Sequence, residues 1–385
     1  MRLGNVNTVL CSVVLIGFCT SIKLQASKKD AKFWNVERIL LDEPKGQWPD
    51  DALKCLYVDD WSYWYRKNGM QTSTDDVIVA FVAAYPEITA LSTSGCMSPD
   101  LSSLKYTDTK ATDSTVNRYV DLGCGIGSTL LLVANILRPK SFSLGVEAQE
   151  QSARLLQRTL SELPDGSPSI SVIHKDLRDL LKSEEDNDAL VELDQTNDLD
   201  KVEGYCSISA RESESGDRNW DHISGSCDLI TANPPYAPLQ SGTLCKDEQR
   251  RSARFELRGG VEEYLLTVKH LLSTEGRFIL AFWSRDDERV RGAVEAAGLR
   301  IHRRFDVIMG EPGRTLPHLS VYDIRSPTRT VTSTLTDSCT EMESDQECEI
   351  LKLDITRDPL TGGMNKNYEL IRHLLKCAAR PLKRK

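Results

Sequence analysis

The chain lacks most of the features that settle a function at first sight. Its eleven cysteines contain no Cys-x-x-Cys pair and its six histidines stand apart, so no metal-ligand spacing is present. An odd number of scattered cysteines reads as mostly reduced thiols and argues against a disulfide framework. No internal repeat is visible. No apolar run reaches the ~20 residues that a membrane span needs. The expectation is therefore no metal, and no stable membrane association apart from a possible N-terminal signal.

Acidic residues are missing from the first 29 positions, which carry Arg2, Lys23, Lys28 and Lys29. Val9–Cys19 is an apolar stretch of about eleven residues, the length of a signal-peptide core. Residues 1–29 are thus read as a signal or transit-like targeting segment, directing the chain to the secretory route or an organelle; without it the chain would be cytoplasmic. The net charge of −9 is a sum over unlike parts. Residues 183–228 and 326–349 are acidic, whereas 350–385 is basic and ends in Lys383-Arg384-Lys385. A globally acidic chain can still present a basic face to a polyanion.

The 385 residues suffice for a sizeable core. Leu56–Tyr65 concentrates aromatics and reads as an extended segment or hairpin, and Asp75–Ala84 carries a helical apolar face. Strands then alternate with helices. Tyr119–Leu122, Phe142–Val146, Ile170–Ile173, Cys227–Ala232 and Arg277–Trp283 read as strands. Ser128–Leu137, Gln149–Leu160, the stretch around Val261–Leu272 and Glu288–Ala297 read as helices. This rhythm predicts an α/β, Rossmann-like sheet, mostly parallel, with helices on both faces. Leu299–Val307 and Leu316–Ile324 have no helix between them and predict an antiparallel edge. The core domain is placed at 55–325, with polar loop insertions at 91–115 and 183–226, an acidic linker at 326–349 and a basic C-terminal extension at 350–385.

Two motifs carry chemistry. Asp121-Leu122-Gly123-Cys124-Gly125-Ile126-Gly127 is a glycine-rich turn between a strand and a helix, where backbone can approach a ligand closely. Glu147, with Ala148 after it, ends the second strand, where a carboxylate can accept both hydroxyl hydrogens of a ribose. Asp176, followed by Leu177, lies past the third strand, where an acid can bond an adenine amine or simply pair with Lys175 and Arg178. Asn233-Pro234-Pro235-Tyr236 ends the fourth strand. Its Asn233 side-chain carbonyl and Pro234 backbone carbonyl can each accept one N–H of a planar amine. That returns the lone pair to nitrogen. Tyr236 can stack on a base, and the prolines keep the turn rigid. The pair of motifs points to S-adenosylmethionine (SAM) and to methyl transfer onto an amine.

From about Asp121 to Ile324 the chain resembles a class I SAM-dependent methyltransferase of the small-domain group. The resemblance implies that Asp121, Gly123, Cys124, Gly125, Gly127, Glu147, Ala148, Asp176 and Leu177 hold the cofactor. Asn233 would face both cofactor and target amine. Asn68–Asp75 resembles the segment before this fold in bacterial tRNA1(Val) adenine-N(6) methyltransferases, which implies a cofactor contact for Thr74. An aromatic pair of that family is replaced here by Met70 and Thr72. Ala253-Arg254-Phe255-Glu256 resembles a further stretch of the same family.

Adenine N(6) in tRNA or other structured RNA is therefore the first expected acceptor. The same four-residue motif also serves glutamine N(5) methylation of release factors, and guanine N(2) in rRNA is a further option. A catalytically inactive RNA-binding subunit is the non-enzyme alternative. If residues 246–258 are helical, Arg251, Arg254 and Arg258 share one face and could meet phosphates; the bland alternative is a solvated face paired with Asp247, Glu248 and Glu256.

Overall fold

A continuous apolar run such as Leu229-Ile230-Thr231-Ala232 suits a strand covered on both faces. It lies within β6 (Cys227–Ala232), which pairs in parallel with β3 (Arg118–Leu122) and β7 (Leu272–Trp283). The computed structural model describes residues 48–86, 116–180, 223–327 and 348–377. The targeting segment at 1–29, the insertion at 91–115 and most of the stretches at 183–226 and 326–349 lie outside the described residues.

Beyond β3 come β4 (Phe142–Glu147) and β5 (Ile170–His174), both parallel. Beyond β7 come β9 (Leu319–Arg325), β8 (Arg300–Gly310) and β10 (Glu349–Thr356). The sheet order is β10-β8-β9-β7-β6-β3-β4-β5. The last two expected strands do pair antiparallel, and β9 runs against both β7 and β8. The result is the mostly parallel Rossmann-like sheet, with its antiparallel strand toward one edge.

Side chains alternate between the two faces. Leu229, Ile279 and Val307 enter one apolar cluster, with α1 (Thr74–Ala84), α2 (Ser128–Leu137) and α3 (Glu150–Ser161). The hairpin of β1 (Ala52–Val58) and β2 (Trp61–Arg66) packs into the same cluster. Ile230, Phe278 and Leu280 enter the other, with α5 (Val261–Leu271) and α6 (Asp287–Ala296). A short helix, α4 (Glu248–Arg254), follows the Asn233–Tyr236 turn.

Residues 350–377 of the span read as a basic extension are part of the core. β10 adds in parallel to β8, and α7 (Lys366–Leu374) buries Tyr368, Ile371 and Leu374. The Tyr85 hydroxyl donates to the Leu374 carbonyl at 2.7 Å. The net positive charge of the span hid this helical apolar stripe, because a charge average says nothing of which side faces the core.

Candidate functional site

Parallel strands that end side by side place the turns after β3, β4 and β6 at one edge of the sheet, where ligands of open α/β sheets bind. The turn after β3 needs its glycines for different reasons. Gly123, Gly125 and Gly127 all have positive φ, at 68°, 58° and 86°. A Cβ on Gly127 would stand 2.5 Å from Leu156 Cδ1, and one on Gly123 would stand 2.5 Å from the Tyr264 hydroxyl. A Cβ on Gly125 would meet nothing within 4 Å, because that position faces an open cleft. Gly127 also begins α2 without a side-chain cap. The first turn of that helix therefore offers backbone N–H donors and a partial positive charge.

Asp121, Gly123, Cys124 and Gly125 line the cleft from the first turn, and Glu147 and Ala148 from the second. Asp176 and Leu177 close one side, and Asn233 and Pro235 face them from the end of β6. Gly127 shapes the turn from behind. Thr74 opens α1 and is not among the residues that line the cleft, whereas Met70, Gln71 and Asp76 of the same segment are. Ala253, the first residue of the Ala253–Glu256 stretch, also lines it, as do Ser252, Gly259 and Tyr264, to which no motif pointed.

Three of the lining carboxylates are buried. Glu147 Oε2 accepts from Gly125 N at 2.8 Å and Oε1 from Gln149 N at 2.6 Å. Each oxygen keeps a further lone pair for a hydroxyl donor. Burial pushes the Glu147 carboxyl upward, against the pull of those N–H groups and of the Arg258 charge. Asp121 is 2% exposed. Its Oδ1 accepts from the Thr231 hydroxyl at 2.6 Å, and its Oδ2 has no hydrogen-bond partner. Burial, joined by the charges of Asp76 and Glu147, pushes the Asp121 carboxyl up to about 8. Asp76, the third, is engaged from two sides. A site with one orphaned acid oxygen and several buried acids suits a cationic ligand. Asp176, by contrast, is held by the Arg178 backbone N–H, Nε and Nη2. Burial raises its carboxyl, but Arg178 brings it below the usual range overall.

The Asn233–Tyr236 turn is held by hydrogen bonds. Asn233 Nδ2 donates to Asp76 Oδ1 at 2.6 Å, and Asn233 Oδ1 accepts from the Tyr236 hydroxyl. Pro234 is buried beneath the turn. The Tyr236 ring stands edge-on to Phe282 at 5.4 Å and tilted to Trp283 at 5.6 Å. A half-buried Trp283 and an exposed Arg285, stacked 3.9 Å over its ring, extend this aromatic group outward.

No family model matches the chain, and no curated protein does. Solved structures do. A predicted O-methyltransferase from Agrobacterium tumefaciens is 16% identical, with 69% of this chain and 92% of that one covered at a TM-score of 0.40. A TehB-like SAM-dependent methyltransferase from Corynebacterium glutamicum is 14% identical, covering 56% and 83% at 0.29. A ribosomal protein L11 methylase from Lactobacillus delbrueckii subsp. bulgaricus is 11% identical, covering 55% and 70% at 0.30. Such distant likenesses describe an architecture and assign no activity.

The basic stretch differs from the sequence expectation. Helix α4 stops at Arg254, since Phe255 is extended (φ −110°, ψ 141°) and buries its ring. Ala237 N donates to Arg254 O and Glu256 N donates to Ala237 O, each at 3.0 Å, tying this exit to the Asn233–Tyr236 turn. Arg251, Arg254 and Arg258 therefore do not share a helix face. Arg254 is exposed, while Arg258 lines the cleft. Neighbouring acids are engaged elsewhere: Asp247 by Arg66 at 2.8 Å and Glu256 by Arg289 at 2.8 Å.

Proposed function

We propose that this chain is a SAM-dependent methyltransferase acting on an exocyclic amine, with adenine N(6) in tRNA or another structured RNA as the acceptor. The observation that carries this reading is the convergence of the glycine-rich turn, Glu147 and Asn233 on one cleft. The residues fit the cofactor. Gly125 leaves space for it, Glu147 has lone pairs for ribose hydroxyls, and the orphaned Asp121 oxygen and buried acids favour its positive charge. When bound, SAM supplies an electrophilic methyl group.

The protein's part is to prepare the amine. Asn233 Oδ1 and the Pro234 carbonyl accept its two N–H groups and favour tetrahedral nitrogen over a planar one. The same acceptors stabilise positive charge as it grows on that nitrogen. The buried prolyl turn holds both carbonyls in place, and fixing reactants in line is worth up to ~7–11 kcal/mol in model reactions. Displacing the Tyr236 hydroxyl from Asn233 Oδ1 makes room for the amine.

An RNA acceptor is favoured by exposed Arg254 and by the Trp283–Arg285 pair beside Tyr236. An extended hairpin, β1–β2, precedes α1 among the described residues, unlike the helical unit common in glutamine methyltransferases.

The test incubates the full chain with labelled SAM and either total unmodified RNA or a release factor. The modified nucleoside or residue is then identified by mass spectrometry. The expected product is N(6)-methyladenosine. Asn233→Ala is expected to abolish transfer while calorimetric SAM binding persists. Methylglutamine in the release factor would replace the RNA acceptor, and unchanged turnover in Asn233→Ala would remove Asn233 from the chemistry.

A further inference from the structure

Asn233 presents an acceptor to an amine only if its amide is turned the right way. An amide has near-identical shape in its two orientations, and a flip would aim N–H groups at the incoming amine. Something must hold the choice. Asp76 lies 157 positions earlier in the chain, 9% exposed, with its Oδ1 2.6 Å from Asn233 Nδ2.

The other oxygen of Asp76 is already fixed. Ser73 N donates to Asp76 Oδ2 at 2.7 Å, and Asp76 N donates to Ser73 Oγ at 3.2 Å. This reciprocal capping box starts α1, a helix buried along nearly its whole length. The carboxylate is therefore anchored to the rigid end of a core helix. Both Asp76 oxygens accept, Oδ2 from Ser73 N and Oδ1 from Asn233 Nδ2, so the amide edge facing the carboxyl is the N–H₂ edge. The opposite edge of Asn233, its oxygen, accordingly accepts from the Tyr236 hydroxyl. That O–H stands where an amine N–H would enter.

We propose that Asp76 is the positioning residue of the site. Its capped carboxylate locks the Asn233 amide with the oxygen toward the acceptor amine. This rests on the methyltransferase reading. It adds a residue outside the Asn233–Tyr236 motif and outside the glycine turn. Asp76 touches neither reacting atom; it acts through Asn233. The geometry also explains why a helix N-terminus lies against the target-amine turn.

The polarity of this contact can be reversed. Asp76→Asn loses the purely accepting partner, and Asn233→Asp sets two carboxylates against each other. The double variant Asp76→Asn/Asn233→Asp restores one N–H···O bond with donor and acceptor exchanged, and still turns an oxygen toward the amine. Four full-length proteins are compared: the parent, both single variants and the double variant. SAM binding is measured by calorimetry and folding by thermal unfolding. Single-turnover transfer at saturating SAM is measured with whichever acceptor the parent labels, unmodified RNA or release factor.

Each single variant is expected to fold and to lose about a hundredfold in transfer rate at saturating SAM. The double variant is expected to regain about tenfold or more over Asn233→Asp. A purely structural role would lower unfolding temperature and leave the rate at saturating SAM unchanged, which overturns the proposal. A double variant that binds SAM but stays no faster than Asn233→Asp also overturns it. A parent protein that binds SAM and labels neither acceptor fails earlier, and takes the methyl-transfer reading with it.

Discussion

Asp121 shows how much a single buried group controls here. Its carboxyl, raised by burial to about 8, leans to the neutral form near neutral pH. A group whose folded pKa lies above its unfolded value contributes stability fully below the unfolded value of about 4, and loses it as pH rises through the folded one. Stability of the ligand-free protein should therefore fall relative to Asp121→Asn as pH rises toward about 8. Thermal unfolding of both proteins across that range measures it, and a constant difference would contradict the burial argument. A cation in the cleft favours the ionised form. SAM affinity of the parent protein should accordingly rise with pH over the same window, and that of Asp121→Asn should not. The acid itself was legible in the sequence from its place before the glycine turn. Its orphaned oxygen was not, because burial is set by residues far apart in the chain.

Among the elements, α4 separates two kinds of arginine that looked alike as a string. The helix stops at Arg254 because Phe255 turns its ring into the core. Arg254 stays exposed and Arg251 half-buried, while Arg258 enters the cleft and faces Glu147 and Asp176 electrostatically. Charge reversal at Arg251 or Arg254 should weaken RNA binding and lower the slope of log affinity against log salt by about 1 each. Arg258→Ala should instead reduce SAM affinity. Salt-dependent RNA titrations beside SAM calorimetry distinguish the two, and equal effects of all three on RNA would return them to one surface. Helical spacing alone predicted a shared face, since periodicity cannot see a backbone exit dictated by one buried aromatic. The four helices and five strands of the repeating α/β part were legible, because their apolar periods are local properties.

For the whole molecule, removing the acidic insertion and removing the C-terminal span should have opposite effects. Leu180 and Ile223, on either side of one insertion, are buried in the same apolar cluster. Replacing residues 181–222 by a short polar linker should leave the unfolding temperature close to that of the parent chain. Ending the chain before β10 should not. It would strip Leu351, Leu353 and Ile355 from the sheet edge, and Tyr368, Ile371 and Leu374 from α1 and the hairpin. Each such loss from a core typically costs about 2–5 kcal/mol, so the truncated chain should be recovered unfolded or insoluble. Circular dichroism and thermal melts of both deletions test this; a well-folded truncation would make the C-terminal span a true appendage.

By itself, the sequence determined the five strands and four helices of the repeating α/β part, where the glycine turn bends and where the Asn233–Tyr236 turn ends a strand. Those features follow from side-chain period, glycine φ and proline rigidity, all of which act between near neighbours. The tertiary structure alone decided that Asp76 meets Asn233 and that Asp76 rather than Thr74 lines the cleft. It also sent Arg258 into the cleft and made a basic tail into the edge of a sheet. Each of those depends on contacts between distant parts of the chain, which only packing around a common core brings together.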